Sequence, residues 1–299
     1  MDLTSFDYNW FFSAFPQCSA AIIAIIGAFV ISKQIDSENK LDICLEEFNM
    51  LEINYRDLLK RIRLIDFSKY YNNFFLSSPL IWSFIKSDQL KDKTNNEILN
   101  HLYRFCPELF KSDKLILDQI KLIINSPSVF LDSYPKSGDG PVIWNEKREK
   151  LRLKGELSKA TREIIQDYKF KSENLISQFT LNNNKLNNLS KVFISLRRTI
   201  YLLYVSLLCL VIYPLHFLPI ATNNNLFYTF DVKYIFGNIL TFTNILLFVF
   251  FVIIGIIFLN FVIKTFSNNK RIKEKGSLFD PYTNISSYSE HFKAISISG

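Results

Sequence analysis

Three stretches of this chain contain no Asp, Glu, Lys or Arg: Trp10–Ile31, Thr199–Ala221 and Ile235–Ile263. Each exceeds the ~20 apolar residues an α-helix needs to cross the hydrocarbon of a bilayer, whereas buried helices of soluble proteins run uncharged for about 10 to 14 residues. Hydrocarbon offers backbone N–H and C=O groups no water, so such stretches satisfy them internally as helix. These blocks carry the positive mean hydropathy of +0.11. The expected fold is an all-α membrane protein with transmembrane helices at 10–32, 199–221 and 235–263.

Residues 1–9 contain Asp2 and Asp7 but no Lys or Arg, and no A-x-A site follows the first apolar run, so it reads as a retained anchor rather than a cleaved signal. Lys33 follows the first block and Arg197 and Arg198 precede the second. Lys264, Lys270, Arg271, Lys273 and Lys275 follow the third, whereas the 222–234 loop holds only Asp231 and Lys233. Under the positive-inside rule, residues 1–9 and 222–234 face outward, and residues 33–198 and the basic tail 264–299 face the cytoplasm. The net charge of +7 is in large part this signature, and Lys270–Lys275 is expected to meet anionic lipid.

Two segments of the cytoplasmic part show heptad spacing. Leu41, Cys44, Phe48, Leu51, Tyr55, Leu58, Ile62 and Ile65 step by threes and fours; after Trp144 come Leu157, Ile164, Tyr168, Leu175, Phe179, Leu186, Leu189, Phe193, Leu196 and Ile200. One helix leaves the first membrane block and the other enters the second, so topology makes them antiparallel. They are expected to pair as a coiled-coil-like stalk, at about 40–66 and 146–198, unless they fold flat into a compact domain. Residues 67–145, punctuated by Pro79, Pro107, Pro127, Pro135 and Pro141, are expected as short helices forming a cap.

No metal or cofactor is expected: four scattered cysteines, no C-x-x-C and three distant histidines make neither a disulfide framework nor a zinc set. There is no H-E-x-x-H, G-x-S-x-G, phosphate loop, kinase set or dinucleotide fingerprint. Only eight glycines are present, so the chain is not expected to be an enzyme.

At 100° per residue, Gly237, Thr241, Asn244, Phe248, Val252 and Gly255 share one face of the third block. An amide in hydrocarbon needs a partner, so this face meets either a packed helix or an aqueous pore, with Phe248 as an apolar constriction. Ala20, Ala24 and Ala28, with Gly27 beside them, form a small-residue stripe suited to close helix approach within the chain or between copies. Two basic clusters, Lys60, Arg61 and Arg63 in one and Lys147, Arg148, Lys150, Arg152 and Lys154 in the other, lie at the far ends of the expected stalk helices. They form either solvated faces or a site for an anionic ligand such as a nucleotide or oligonucleotide.

The segment "SLRRTIYLLYVSLLCLVIYP" runs from an apolar heptad through Arg197 and Arg198 into 15 uncharged residues without Gly or Pro. With an outward N-terminus and a closing pair of membrane helices, this layout resembles the membrane effectors of bacterial antiphage systems. The opening "FDYNWFFSAFPQCSAAIIAIIGAFVISK" is similar to anchors of bacterial membrane proteins. The resemblance implies a homo-oligomeric channel in the bacterial inner membrane, expected as a closed ring of about four copies, gated by a signal from a partner enzyme and depolarising the cell. Arg197 and Arg198 would then lie on the transmission element at the membrane surface. The competing expectation is a non-conducting, membrane-anchored scaffold or partner subunit acting through its coiled coil.

Overall fold

A computed structural model describes residues 8–106, 109–216 and 242–293. Every regular element among them is helical: α1 (Tyr8–Arg63), α2 (Phe67–Ser77), α3 (Pro79–Lys86), α4 (Asn95–Phe105), α5 (Asp113–Asn125), α6 (Pro127–Leu131), α7 (Pro141–Leu207), a π turn (Leu208–Ile212), α8 (Tyr213–His216), α9 (Phe242–Gly276), α10 (Asp280–Thr283), α11 (Ile285–Tyr288) and a closing 3-10 turn (Glu290–Phe292). Three of the helices are long and apolar enough to span a membrane. The expected loop at 222–234 and the start of the third block lie outside the described residues.

The chain divides into two compact units, Met1–Glu47 with Asn182–Ser277 and Phe48–Leu181 with Leu278–Gly299; α1 and α7 contribute to both. In the first unit, α1 buries Ser19, Ile23, Val30, Gln34, Ser37, Leu41 and Cys44, while α7 buries Asn182, Leu186, Leu189, Phe193, Leu196, Ile200, Leu203 and Leu207. From α9 it buries Thr265, Asn268 and Ile272, yet nothing of that helix's most apolar stretch is buried within the chain. α7 passes through Arg197 and Arg198 without a break and loosens only at the π turn, where the Tyr213 N–H reaches the Leu208 carbonyl. The cause is Pro214, which has no N–H and whose ring clashes with the carbonyl four residues back, so the turn widens just before it.

The second unit is built on α2, whose Phe67, Tyr70, Tyr71, Phe74 and Phe75 are all buried. They join Ile81, Leu102, Ile116 and Ile120 of the neighbouring helices in one core. The prolines act as starters: Pro79 and Pro127 occupy first-turn positions of α3 and α6, and Pro141 opens α7, where a missing N–H costs nothing. Thr94 and Glu97 form a reciprocal cap on α4, the Glu97 carboxylate accepting from Thr94 N at 2.7 Å and Thr94 Oγ1 from Glu97 N at 3.4 Å. Buried phenols keep partners. Tyr71 donates to the Phe110 carbonyl at 3.0 Å and Tyr103 to Asp113 at 2.8 Å, and burial pushes both phenol pKa values up.

Two sequence expectations change here. Leu157 and Ile164 are 54% and 48% exposed; the buried line of α7 runs instead through Ser158, Ile165 and Ser172 before it reaches Phe179, which was expected. The small serines sit at the tight positions and displace the larger leucine and isoleucine to the neighbouring face. Residues 264–299, expected as a basic tail, are structured as far as Lys293: the stretch to Ser277 belongs to the first unit and Leu278 onward to the second. Phe48 meets Phe279 at 4.9 Å and Phe179 stacks on Tyr282 at 4.7 Å. Tyr282 donates to Glu52 at 3.2 Å, and His291 stacks on Phe67 at 3.8 Å. Burial lowers the His291 pKa.

Candidate functional site

Of the six residues on the candidate pore face, Gly237 and Thr241 lie outside the described residues, as does the Asn244 side chain. Gly255 faces α7: a Cβ there would stand 3.1 Å from Tyr204 Oη. The Tyr204 ring lies 5.5 Å from Phe251 and 5.6 Å from Phe258, one turn either way along α9. The phenol therefore fills the space the glycine leaves, and this edge of the face is a helix contact. Val252 remains exposed and Phe248 is 65% exposed.

The small-residue stripe of α1 is not the face packed within the chain. Ala24 and Ala28 are exposed, Ala20 and Gly27 are half-buried, and nothing comes within 4 Å of a Cβ built on Gly27. The internal contacts fall on Ser19, Ile23 and Val30 instead.

Four of the eight basic residues of the two clusters are paired with nearby acids. Arg61 pairs with Asp57 at 2.9 Å, Lys150 with Glu146 at 2.6 Å, and Arg152 with both Glu149 and Glu156 at 2.5 Å. Lys147 pairs with Asp139 at 2.9 Å, and Arg148 lies 5.2 Å from the Trp144 ring centre. Hydrogen bonds from Lys150 and Arg152 pull Glu146 and Glu149 below the usual carboxylate range, and the Lys136 backbone N–H, with Lys147 second, does the same to Asp139. Lys60, Arg63 and Lys154 have no ion pair among the described residues. Arg61 lines an open cleft with Leu157, Thr161, Ile164 and Tyr168, and no residue of Lys147–Lys154 lines it, so the clusters do not form one site there. Arg197 is half-buried and Arg198 exposed.

The first unit also holds a polar collar that the sequence analysis missed. Glu38 of α1 receives Lys264 of α9 at 2.6 Å, Asn268 at 3.3 Å and Gln34 at 3.1 Å. Asp42 pairs with Arg271 at 3.1 Å, and Ser190 of α7 donates to Asn269 at 2.5 Å. Asn182 donates to the Cys44 carbonyl and to Glu47, both at 3.1 Å, and Lys185 pairs with Glu47 at 2.8 Å. Every pair of the three helices is thereby cross-linked. Arg271, one of the Lys270–Lys275 residues expected to meet lipid, pairs with Asp42 of α1, and Lys264 pairs with Glu38. The available signal was the heptad itself: counting back by sevens from Leu41 and Cys44 reaches Gln34, Ser37, Val30 and Ile23.

Among the described residues no His, Cys, Asp and Glu cluster could hold a metal ion. Comparison with protein families, with curated proteins and with solved structures gives no match, so function rests on the chain's own residues.

Proposed function

We propose that this chain is a membrane effector of a bacterial defence system. In this reading it is a homo-oligomeric channel of the inner membrane, opened by a cytoplasmic anionic signal such as a nucleotide or single-stranded DNA, and it collapses the membrane potential. The observation that carries the proposal is α7, one unbroken helix from Pro141 to Leu207 that contributes to both units. A stiff helix transmits displacement where a flexible linker absorbs it. Self-assembly is supported by what the single chain leaves uncovered: Ala24 and Ala28, and Asn260, an exposed amide within the apolar run of α9. Such an amide in hydrocarbon finds its partner on another helix or in water.

Liposomes containing the purified chain test conduction directly. Phe248→Ser wets the candidate constriction and raises leak current without any signal; Asn260→Leu, off the candidate face, changes the leak of assembled protein less and acts on assembly. If Phe248→Ser assembles normally and leaves the flux unchanged while Asn260→Leu alters it, the pore lies on the other face. The orientation is tested separately: a cysteine in place of Ser137 stays unlabelled by an impermeant reagent in intact cells.

A second reading, the non-conducting scaffold, is favoured by the contact of Tyr204 with Gly255, which spends part of the candidate face on packing within the chain. In that case the liposomes pass no ions, and Phe248→Ser lowers assembly instead.

A further inference from the structure

The second unit contains a cleft between α2, the start of α3 and α7, with a volume of about 290 Å³, whose walls carry Lys159, Arg162, Ser78, Ser158 and Gly155. No Asp or Glu lines it. Lys159 has no carboxylate partner among the described residues, in contrast to Lys147, Lys150 and Arg152 on the preceding turns.

Two hydroxyls in this cleft are idle in a way their neighbours are not. Ser172, Ser177 and Thr180 of α7 each donate to a carbonyl four residues back in their own helix. Ser158 is 6% exposed, and its hydroxyl has no hydrogen-bond partner among the described residues. A hydroxyl that lines a cleft and is spent on nothing else in the protein is free to donate to and accept from a group placed there. Ser78 stands at the N-cap of α3 and makes no side-chain cap bond, with Pro79 behind it supplying no N–H. The positive end of that eight-residue helix therefore opens on the cleft uncapped.

We infer that this cleft binds the phosphate of a soluble, nucleotide-sized or smaller ligand. A carboxylate is satisfied by two donors on one side. A phosphate presents three acceptor oxygens and two negative charges, which match an ammonium, a guanidinium, two hydroxyls and a helix N-terminus converging from different elements. The volume lies at the lower end for small-molecule sites and matches a phosphate with at most a small group attached. Gly155 keeps the cleft open: a Cβ there would sit 3.6 Å from Ser77 Cβ, in ordinary contact, so larger side chains enter the cleft rather than break the fold. None of the basic residues singled out in the sequence lines this site.

Calorimetric titration of the detergent-solubilised full chain with inorganic pyrophosphate at fixed ionic strength tests the assignment, whether or not the chain conducts, so conduction and binding stand or fall separately. The expected result is saturable binding of one pyrophosphate per chain. Lys159→Gln weakens it about tenfold, the loss of one charge-assisted hydrogen bond. Ser158→Ala weakens it less, and Gly155→Val abolishes it while the melting temperature of the free protein is kept. Arg152→Gln, on the same helix but outside the cleft, binds as the parent does. No saturable binding, or binding that Lys159→Gln leaves intact, overturns the site. Equal loss in Arg152→Gln also overturns it, because the attraction is then diffuse surface charge. Tighter binding of dihexanoyl phosphatidic acid than of pyrophosphate assigns the phosphate to a lipid and overturns the soluble source.

Discussion

From Ser158 to Phe179 the buried line of α7 advances by sevens, through Ser158, Ile165, Ser172 and Phe179, whereas from Asn182 to Leu207 it advances by alternating fours and threes, through Leu186, Leu189, Phe193, Leu196, Ile200 and Leu203. Spacing by threes and fours buries two positions per heptad and makes a continuous seam; spacing by sevens buries one, and half of those are serine. The later stretch is thus held by apolar volume. The earlier one allows close approach and leaves Leu157 and Ile164 in the wall of an open cleft. The same helix serves as a packed strut in one unit and as the wall of a recess in the other.

Removing volume from the seam gives the largest expected effect. Phe193→Ala, at a side chain 1% exposed, leaves a cavity where nothing collapses easily and costs about 3–5 kcal/mol, read as a fall in melting temperature in detergent. A fall no larger than that of an exposed Phe170→Ala control would mean that the seam is not close-packed.

Adding volume to the sparse line gives the next largest. Ser172 is fully buried, and its hydroxyl donates to the Tyr168 carbonyl at 2.8 Å. Ser172→Leu forces an oversized side chain into a close approach and costs about 1–3 kcal/mol. Ser172→Ala keeps the volume and gives up only a bond within the helix, so its melting temperature stays near the parent's. Stabilisation by Ser172→Leu would erase the distinction between the two halves.

This contrast also explains what was legible in the sequence. The seam could be read because Leu, Phe and Ile announce themselves, and so could the three apolar blocks and the division of the proline-punctuated stretch into short helices. The sparse line could not: Ser158 and Ser172 look like surface residues until their closeness is seen, and Leu157 and Ile164, one position away, offer the more attractive pattern. Gln34 and Ser37 hid the extension of α1's line in the same manner. The C-terminal segment was missed because Lys270–Lys275 drew attention to charge, while Phe279, Tyr282, Tyr288 and Phe292, spaced too irregularly for one helix, carry the contacts. The phosphate cleft needs residues from three helices, and no linear spacing brings those together.

Asn182 stands where the sparse line gives way to the seam, and it sharpens the comparison from the polar side. Its amide nitrogen bonds the Cys44 carbonyl and Glu47, whereas its oxygen is buried without a partner. Asn182→Leu removes that unsatisfied oxygen and extends the seam by one residue, so stability is expected to hold or rise by up to about 1 kcal/mol. A loss as large as that of Phe193→Ala would show that the amide, rather than apolar volume, fixes α7 against α1.

The smallest expected effect is electrostatic and lies at the same junction. Hydrogen bonding from Lys185 holds the Glu47 carboxyl below its ordinary value of 4.5, with burial opposing, and the same bond raises Lys185 above its ordinary 10.5. A carboxylate with a depressed folded-state pKa contributes stability that is complete above its unfolded value and is lost as pH falls through the folded one. The raised lysine contributes below 10.5 and loses its share as pH rises through its folded value. Melting temperature should therefore carry no contribution to its slope from this pair between those limits and should fall on the acid side below 4.5. The two side chains are 44% and 43% exposed, so water and salt screen them and the pair is worth on the order of 0.2–1 kcal/mol. Lys185→Gln shrinks the acid limb without removing it, because Asn182 still donates to Glu47. Lys185→Gln with Asn182→Leu removes this pair's share altogether, and raising the salt concentration mimics the lysine variant but not the double one. If the double variant keeps the full acid limb, the acid sensitivity arises at other carboxylates of the collar, with Glu38 and its partner Lys264 the next pair to vary.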